Sequence, residues 1–237
     1  MSKVSSDDIM NFLVTVTEGH KSSTKKLKYS LLKTFFNFIK NSIDQNLQNP
    51  CDSTILQKTF KVTKGQPWTI LDKDVVDEII FKIDNLRNRL MLELMARGGM
   101  RIGEVLKLRV NNVNDRKLFL SDPKSGRQSE IVFIPKKVAD RLREYIAGEN
   151  IKGDDRVFPL GYTRAREIVK NAGTEIGVIV KPHDLRRHAA TYASRSGVPI
   201  EIVSKIILRH SNLATTQRYL GKVSDNEAIY WIKNIYR

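Results

Sequence analysis

The sequence predicts a mainly helical protein with a small antiparallel sheet, an α+β fold divided into two domains. Along most of the 237 residues, apolar side chains recur at the three- and four-residue spacing of amphipathic helices. Between Leu108 and Pro135 the spacing changes to the alternation that is typical of strands. The chain is also long enough for two domains of ordinary size.

Two helices are predicted near the start of the chain, over residues 7–16 with Ser6 as the cap, and over about 23–43. The second helix carries an apolar stripe with basic residues around it that could meet phosphates. The stripe consists of Leu27, Leu31, Phe35 and Ile39, and the basic residues are Lys25, Lys26, Lys28 and Lys33. Residues 51–67 show little periodicity, and we interpret them as an interdomain linker. The predicted domains are 1–62 and 68–237.

Most predicted elements belong to the second domain. The helix over residues 85–96 is apolar on almost all sides and should be buried, and Gly98-Gly99 should end it. Strands around Leu118 and Ile131 should form the sheet, with Lys124 in the turn between them. The other helices are predicted over residues 72–83, 101–108, 136–147, 163–177, 183–197, 200–210 and 224–236.

The charge of the chain is strongly positive. Its 41 Lys and Arg against 26 Asp and Glu give a formal net charge of +15, which favours a nucleic-acid partner. An anionic membrane would attract the same charge, but no apolar run approaches the roughly 20 residues of a membrane span. Cys51 is the single cysteine, so one chain can form no disulfide and no thiolate metal cluster. We expect a cytoplasmic, nucleoid-associated protein that uses no cofactor.

Three stretches carry the residues that phosphodiester chemistry needs. They are Gly99-Met-Arg101-Ile-Gly-Glu104, His183-Asp-Leu-Arg186-Arg187-His188, and Leu208-Arg-His210 followed by Thr215-Thr-Gln-Arg-Tyr219.

Each step of a strand cleavage has a candidate residue. Attack on a phosphodiester concentrates negative charge on the non-bridging oxygens, which the guanidinium groups of Arg101 and Arg186 can hold bidentately. The phenol of Tyr219 is a weak nucleophile near neutral pH, and His183 is the candidate base that activates it. The leaving deoxyribose oxygen needs a proton, and Lys124 on its hairpin turn is the candidate donor.

In this order, the three stretches resemble the motifs of the tyrosine recombinases of the phage integrase family, from about residue 68 to the terminus. The resemblance implies that Tyr219 forms a covalent phosphotyrosine and that His210 hydrogen-bonds the scissile phosphate. It implies that Glu104 supports Arg101. Because the linkage conserves the bond energy, rejoining would need neither ATP nor metal, and the outcome would be integration, excision or resolution of DNA. The resemblance also implies a homotetramer on double-stranded DNA, with a place for accessory DNA-bending proteins.

Two features depart from the family pattern. Arg209 stands where glycine usually precedes the histidine, and it would either crowd a tight junction or add a cation near the phosphate. Residues before Pro50 resemble only the second half of the family's four-helix DNA-clamping domain. We therefore interpret domain 1–62 as a partial clamp, either truncated or naturally minimal. The last helix presents a face that would dock on a neighbouring subunit or on its own domain. That face consists of Ala228, Ile232, Ile235 and Tyr236.

Three other functions stay open at this point. A type IB topoisomerase shares the chemistry but relaxes DNA without pairing sites. A DNA-binding regulator would use residues 200–219 as a helix-turn-helix and would need no nucleophile. A metal site could form from His183, Asp184 and His210, although the sequence has no paired metal-ligand motif.

Overall fold

The protein folds into two compact units, which the computed structural model describes over residues 4–62, 70–120, 130–217, 219–220 and 225–235. The units comprise Met1–Gln66 and Pro67–Arg237, and each has its own hydrophobic core. Both are mainly helical, and the second contains a small antiparallel sheet, so the predicted fold class is confirmed. Within the described ranges, no helix combines the length and the apolar character that crossing a membrane requires.

The first unit begins with a capped helix. Its elements are α1 (Ser6–Val16), α2 (Ser22–Ser42), a short 3-10 helix (Pro50–Asp52) and α3 (Thr54–Thr59). Ser5 caps α1 rather than the predicted Ser6, because the Ser5 side chain accepts from the backbone of Asp8 and the Asp8 carboxylate accepts from that of Ser5. The Ser6 hydroxyl instead donates to the carbonyl oxygen of Pro50 at 2.9 Å.

The core of the first unit covers a different face of α2 from the predicted stripe. Of that stripe only Ile39 is buried, while Leu27, Leu31 and Phe35 are exposed. The other buried residues of α2 are Tyr29 and Phe36. Two of the four lysines are engaged inside the unit. Lys28 donates to the carbonyl oxygen of Val16 at 2.8 Å, and Lys33 pairs with Asp52 at 2.7 Å.

The interpretation of the segment after Pro50 as a linker is wrong for its first ten residues, which belong to the first core. Cys51, Leu56 and Phe60 are buried, and the Phe60 ring stacks on Tyr29 with the centroids 5.4 Å apart. The Tyr29 hydroxyl donates to the carbonyl oxygen of Cys51 at 2.8 Å. A helix as short as α3 leaves too few turns for its periodicity to be recognised. Residues 63–67 of the predicted linker lie outside the described residues.

The second unit contains most of the helices and the small sheet. Its helices are α4 (Lys73–Phe81), α5 (Leu86–Gly98), α6 (Ile102–Lys107), α7 (Lys136–Gly148), α8 (Tyr162–Thr174), α9 (Pro182–Arg195), α10 (Ile200–Ile202), α11 (Leu213–Gln217) and α12 (Asp225–Ile235). The strands β1 (Val113–Asn114), β2 (Lys117–Leu120) and β3 (Glu130–Phe133) pair antiparallel in that order.

Helix α5 lies at the centre of the second core. Residues 90–96 are all buried, as their nearly all-round apolar pattern predicts. They include Glu93, whose carboxylate receives two hydrogen bonds from Arg141 of α7, at 2.6 and 3.2 Å. Burying a carboxylate is favourable only with such a partner, because an uncompensated buried charge is very costly.

The helix predicted over residues 200–210 ends early. After α10 the chain makes a π turn (Val203–Ile207), in which the backbone N–H of Leu208 donates to the carbonyl oxygen of Val203 at 2.9 Å. Arg209 then adopts a φ of +52°, in the left-handed region that favours glycine. The chain therefore leaves the helix immediately before His210.

Gly99 ends α5 as predicted and lies against this turn. It adopts a φ of +61° as the left-handed cap of the helix. A Cβ atom at Gly99 would lie 2.8 Å from the carbonyl oxygen of Ile207, which is closer than real Cβ contacts allow. The close approach of two backbone segments here requires a residue without a side chain.

Replacing Gly99 with alanine should destabilise the protein by about 1–3 kcal/mol, because alanine is strained at positive φ and its Cβ would clash with the Ile207 backbone. Gly103→Ala is the matched control, since no atom lies within 4 Å of its added Cβ. That change lies within α6 and should be neutral or slightly stabilising. Urea unfolding followed by circular dichroism measures both. Equal stability of Gly99→Ala and the unchanged protein would contradict this packing.

Candidate active site

The described residues include all but one of the predicted site residues. Arg101 precedes α6, His183 and Arg186 lie in the first turn and a half of α9, and His210 and Tyr219 lie on either side of α11. The remaining one, Lys124, lies outside the described residues, as do the other residues from 121 to 129.

A cavity of about 530 Å³ opens between the starts of α6 and α9. Arg101, His183 and Arg186 line it. Further basic side chains and two aromatic rings also line it, namely Lys107, Arg166, Lys181, Phe119 and Tyr162, together with apolar side chains such as Ile102, Leu108 and Leu120. A concave surface lined with this much positive charge attracts an anion such as a phosphodiester.

Glu104 joins two arginines into one cluster. Its Oε1 accepts from Nη1 of Arg101 at 2.5 Å, and its Oε2 accepts from the Arg101 backbone N–H at 2.8 Å and from Nη2 of Arg209 at 2.6 Å. Arg186 approaches the same Oε2 to 4.0 Å. Burial would raise the pKa of Glu104, but the charge of Arg209, together with Arg101 and Arg186, lowers it below its usual value. The carboxylate is therefore ionised at neutral pH.

Arg186 is completely buried and is held by backbone carbonyls. Its Nη1 donates to the carbonyl oxygen of Gly99 and its Nη2 to that of Leu208. Burial and the charges of Arg101 and Arg209 lower its pKa, although a guanidinium group stays protonated in proteins. The two carbonyls lie two residues before Arg101 and His210, so Arg186 fixes both stretches relative to α9.

His210 and Tyr219 form a pair. Their rings meet edge to face with centroids 5.0 Å apart. Nδ1 of His210 lies 2.9 Å from the hydroxyl of Thr216, which donates to Ser204 at 2.8 Å. This arrangement suits the tautomer that carries its hydrogen on Nδ1 and leaves Nε2 for a substrate. Burial and the charges of the nearby arginines, Arg186 first among them, lower the pKa of His210 to about 4, so it is neutral at pH 7.

Helix α9 positions Tyr219 from one side. The guanidinium carbon of Arg187 lies 5.8 Å from the centre of the Tyr219 ring, and the Thr191 hydroxyl donates to the Tyr219 carbonyl oxygen at 3.3 Å. Sequence reasoning assigned neither residue a role, although Arg187 and Thr191 are four apart and therefore share a face of the helix. Sequence reasoning also assigned no role to Ser204 and Thr216, because their hydrogen-bonded link to His210 depends on the π turn.

His183 lies exposed at the start of α9. Loss of hydration on the side that faces the protein, together with the charges of Arg186 and Arg187, lowers its pKa, so that the ring is neutral at physiological pH. Within the described part of the chain, no group of three or more His, Cys, Asp or Glu side chains is placed to hold a metal ion. The alternative site of His183, Asp184 and His210 therefore has no support.

These features define a class of site in which clustered arginines face a tyrosine paired with a neutral histidine. Comparisons with known proteins identify the family.

Residues 69–225 match the model of the Phage integrase family. The tyrosine recombinase XerA of Pyrococcus horikoshii is 30% identical over 223 residues, covering 90% of this chain and 74% of that protein. A tyrosine recombinase of Thermosipho africanus is 31% identical over 252 residues, covering 99% and 86%. The chain belongs to the phage integrase family.

Solved structures show the same fold. The integrase of transposon Tn1549, in complex with transposon right-end DNA, superimposes with a TM-score of 0.76 at 16% identity, over 100% of this chain and 87% of that one. The XerH recombinase bound to its difH substrate gives 0.72 at 21% identity, over 100% and 72%. Both neighbours contain DNA, and their likeness to this chain concerns the fold.

The low pKa of His210 predicts a loss of stability in acid. Between the ordinary value of 6.5 and the folded value of about 4, the unfolded chain binds a proton that the folded chain does not, so stability falls as the pH drops through this window. His210→Asn should make the decline between about pH 7 and about pH 5 smaller. Urea unfolding of each variant at about pH 7 and about pH 5 measures this decline in stability. His20→Asn, in the first unit, is the control. An unchanged decline in His210→Asn would contradict the assigned environment.

Proposed function

We propose that the protein is a site-specific recombinase that cleaves and rejoins DNA through a covalent bond between Tyr219 and a phosphate. The observation that carries the proposal is the edge-to-face contact of Tyr219 with a neutral His210 beside the buried arginine cluster. The chain is a member of a family of DNA strand-transferring enzymes, and DNA is its partner. A non-catalytic regulator is not favoured, because the matched relatives are tyrosine recombinases.

The arginine cluster would bind the scissile phosphate. The side chain of Arg101 is 28% exposed, so it can reach a non-bridging oxygen while Glu104 keeps it in place. Arg186 lies deeper, where water screens its charge little, and it would stabilise the additional charge of the transition state. An anionic phosphate next to His210 would raise the pKa of that imidazole and favour the form that donates from Nε2.

The covalent step would exchange one phosphoester bond for another. The Tyr219 oxygen attacks phosphorus, its proton passes to His183, and the bond to the leaving deoxyribose oxygen breaks as Lys124 protonates it. The reverse sequence, with a different strand as the attacking alcohol, rejoins the DNA. Since one phosphoester replaces another, the exchange requires no ATP, which suits integration, excision or resolution.

Assembly on DNA would involve the last helix. Ile229 and Ile232 of α12 are 64% and 59% exposed, whereas Trp231 lies close to Gly197 of its own unit. We propose that the exposed side docks on a neighbouring subunit in a DNA-bound homotetramer. Of the predicted face, the Ile235 side chain and Tyr236 lie outside the described residues. We further propose that the first unit contacts DNA as part of a clamp, that the protein acts at the nucleoid, and that accessory DNA-bending proteins take part.

Tyr219→Phe should abolish covalent attachment and retain DNA binding, because it removes only the nucleophilic oxygen. A nicked suicide duplex carrying the candidate attachment site traps the adduct, which is then detected after denaturation. We expect a loss of about a thousandfold or more. Tyr230→Phe, at an exposed position of α12, is the matched control and should form the adduct normally. An adduct that persists in Tyr219→Phe would overturn the assignment of the nucleophile.

Lys124→Ala should slow cleavage by about 10²–10⁴-fold, as expected for loss of a general acid. Replacing the leaving oxygen of the duplex with sulfur should remove most of this defect, because a thiolate leaves without a proton. Arg127→Ala, three residues further along the sequence in the same predicted turn, is the control, and its effect should not depend on sulfur. If Lys124→Ala is equally slow on both substrates, Lys124 is not the proton donor.

A further inference from the structure

Arg209 occupies a buried position between two carboxylates. It is only 4% exposed. Its Nη2 donates to Glu104 at 2.6 Å, and its Nε lies 3.4 Å from Oε2 of Glu130. Its Nη1 donates to the carbonyl oxygen of Ile207 at 2.7 Å, and Nη2 also approaches that of Gly99 at 3.3 Å. The guanidinium group is therefore directed into the protein. Arg186 is also buried but lines the cavity, whereas Arg209 is not among the residues that line it.

Glu130 is the second counter-ion of Arg209. It begins β3 and pairs across the sheet with Leu120, on the same buried face as Leu118 and Val132. Both of its carboxylate oxygens are buried, and within the described residues neither receives a hydrogen bond that meets ordinary geometry. Among the described residues, the contact with Nε of Arg209 therefore compensates the buried charge of the Glu130 carboxylate. An acidic residue on the core face of a strand is otherwise unfavourable, since a buried charge requires a partner.

The backbone conformation of Arg209 is unfavourable for any residue other than glycine. Its φ of +52° lies in the left-handed region, which strains an L-residue and which glycine would adopt without that strain. An arginine at this position therefore has a conformational cost, which its two ion pairs must offset.

We propose that Arg209 is a positioning residue that holds Glu104, and through Glu104 holds Arg101, in the geometry that binds the scissile phosphate. Glu130 is the counter-ion that makes its burial tolerable. The proposal rests on the proposed strand cleavage. It differs from both roles that the sequence left open for Arg209, because the cation acts behind the arginine cluster and neither crowds the junction nor contacts the phosphate.

The ion pair is tested without DNA by a double-mutant cycle of Arg209→Gly and Glu130→Gln. Each single change leaves one buried charge short of a partner, whereas the double change removes both charges. The backbone relief that accompanies Arg209→Gly is the same with and without Glu130→Gln and cancels in the cycle. The two effects on the unfolding equilibrium constant should therefore be coupled by about tenfold or more, or about 1.4 kcal/mol. Arg164→Ala and Glu167→Gln, an exposed pair 3.2 Å apart on α8, form the control cycle with little coupling. Additive effects in the first cycle would overturn the ion pair.

The positioning role is tested by single-turnover cleavage of the suicide duplex under conditions where all variants are folded. Arg209→Gly should cleave about 10- to 100-fold more slowly, because a small displacement of Arg101 weakens the hold on the phosphate. Glu104→Gln should slow cleavage too, whereas Arg209→Lys, which keeps the charge next to Glu104, should recover part of the rate.

A second substrate separates positioning from a general loss of folded protein. A methylphosphonate at the scissile position lacks one negative charge and depends less on the arginines, so the defect of Arg209→Gly should be several-fold smaller on it. If Arg209→Gly lowers the cleavage rates of both substrates by the same factor, the defect is purely structural and the positioning role is wrong. An unchanged rate of Arg209→Gly on the ordinary phosphate would also overturn it. If the unchanged protein forms no adduct, both the proposed function and the role of Arg209 fail. If Arg209→Gly forms the adduct at the full rate, only the role of Arg209 is contradicted.

Discussion

The ionised carboxylate of Glu104 is the interaction on which the rest of the site depends. It receives hydrogen bonds from the backbone and side chain of Arg101 and from Arg209, and Arg186 lies 4.0 Å away. Three guanidinium groups packed this closely repel one another strongly in a medium that screens charge poorly. Glu104 and Glu130 offset that repulsion but leave the cluster with one positive charge in excess. Lys107, Arg166 and Lys181 line the same cavity, so the described part of the site carries an excess of positive charge that is well suited to an incoming phosphodiester.

The same charges govern His210. Its pKa of about 4 is caused by burial and by Arg186, Arg101 and Arg209, so the free protein holds a neutral imidazole against the Tyr219 ring. A phosphate bound to the arginines would cancel part of that positive charge and raise the pKa of His210. Arrival of DNA would thus change the state of the residue beside the nucleophile. In the absence of DNA, neutral His210 also has the lone pair with which it can accept a hydrogen bond.

The sequence predicted the helices and strands of the second unit well, because α5, α7 and α9 have several turns of consistent pattern. The errors fall where local pattern is weak or where packing decides. Helix α3 is too short to show a period, and α2 has apolar residues on more than one side, so only the fold can decide which side is buried. The early end of the helix over residues 200–210 depends on a π turn and on the positive φ of Arg209, which no periodicity reveals. The motif residues were identifiable by their chemistry, whereas the pairing of Arg209 with Glu130 joins segments far apart in the sequence.

Backbone contacts bring the three motif stretches together as much as side chains do. Arg186 donates hydrogen bonds to the carbonyl oxygens of Gly99 and Leu208. Because Gly99 has no Cβ, the Ile207 backbone can occupy the space that this atom would fill. Arg101 follows Gly99 by two residues and His210 follows Leu208 by two, so a guanidinium on α9 sets the separation of both. The glycine before the first arginine is therefore part of the site although it carries no functional group. A change that widens the contact between Gly99 and Ile207 would separate Arg101 from His210 even with every proposed catalytic side chain intact.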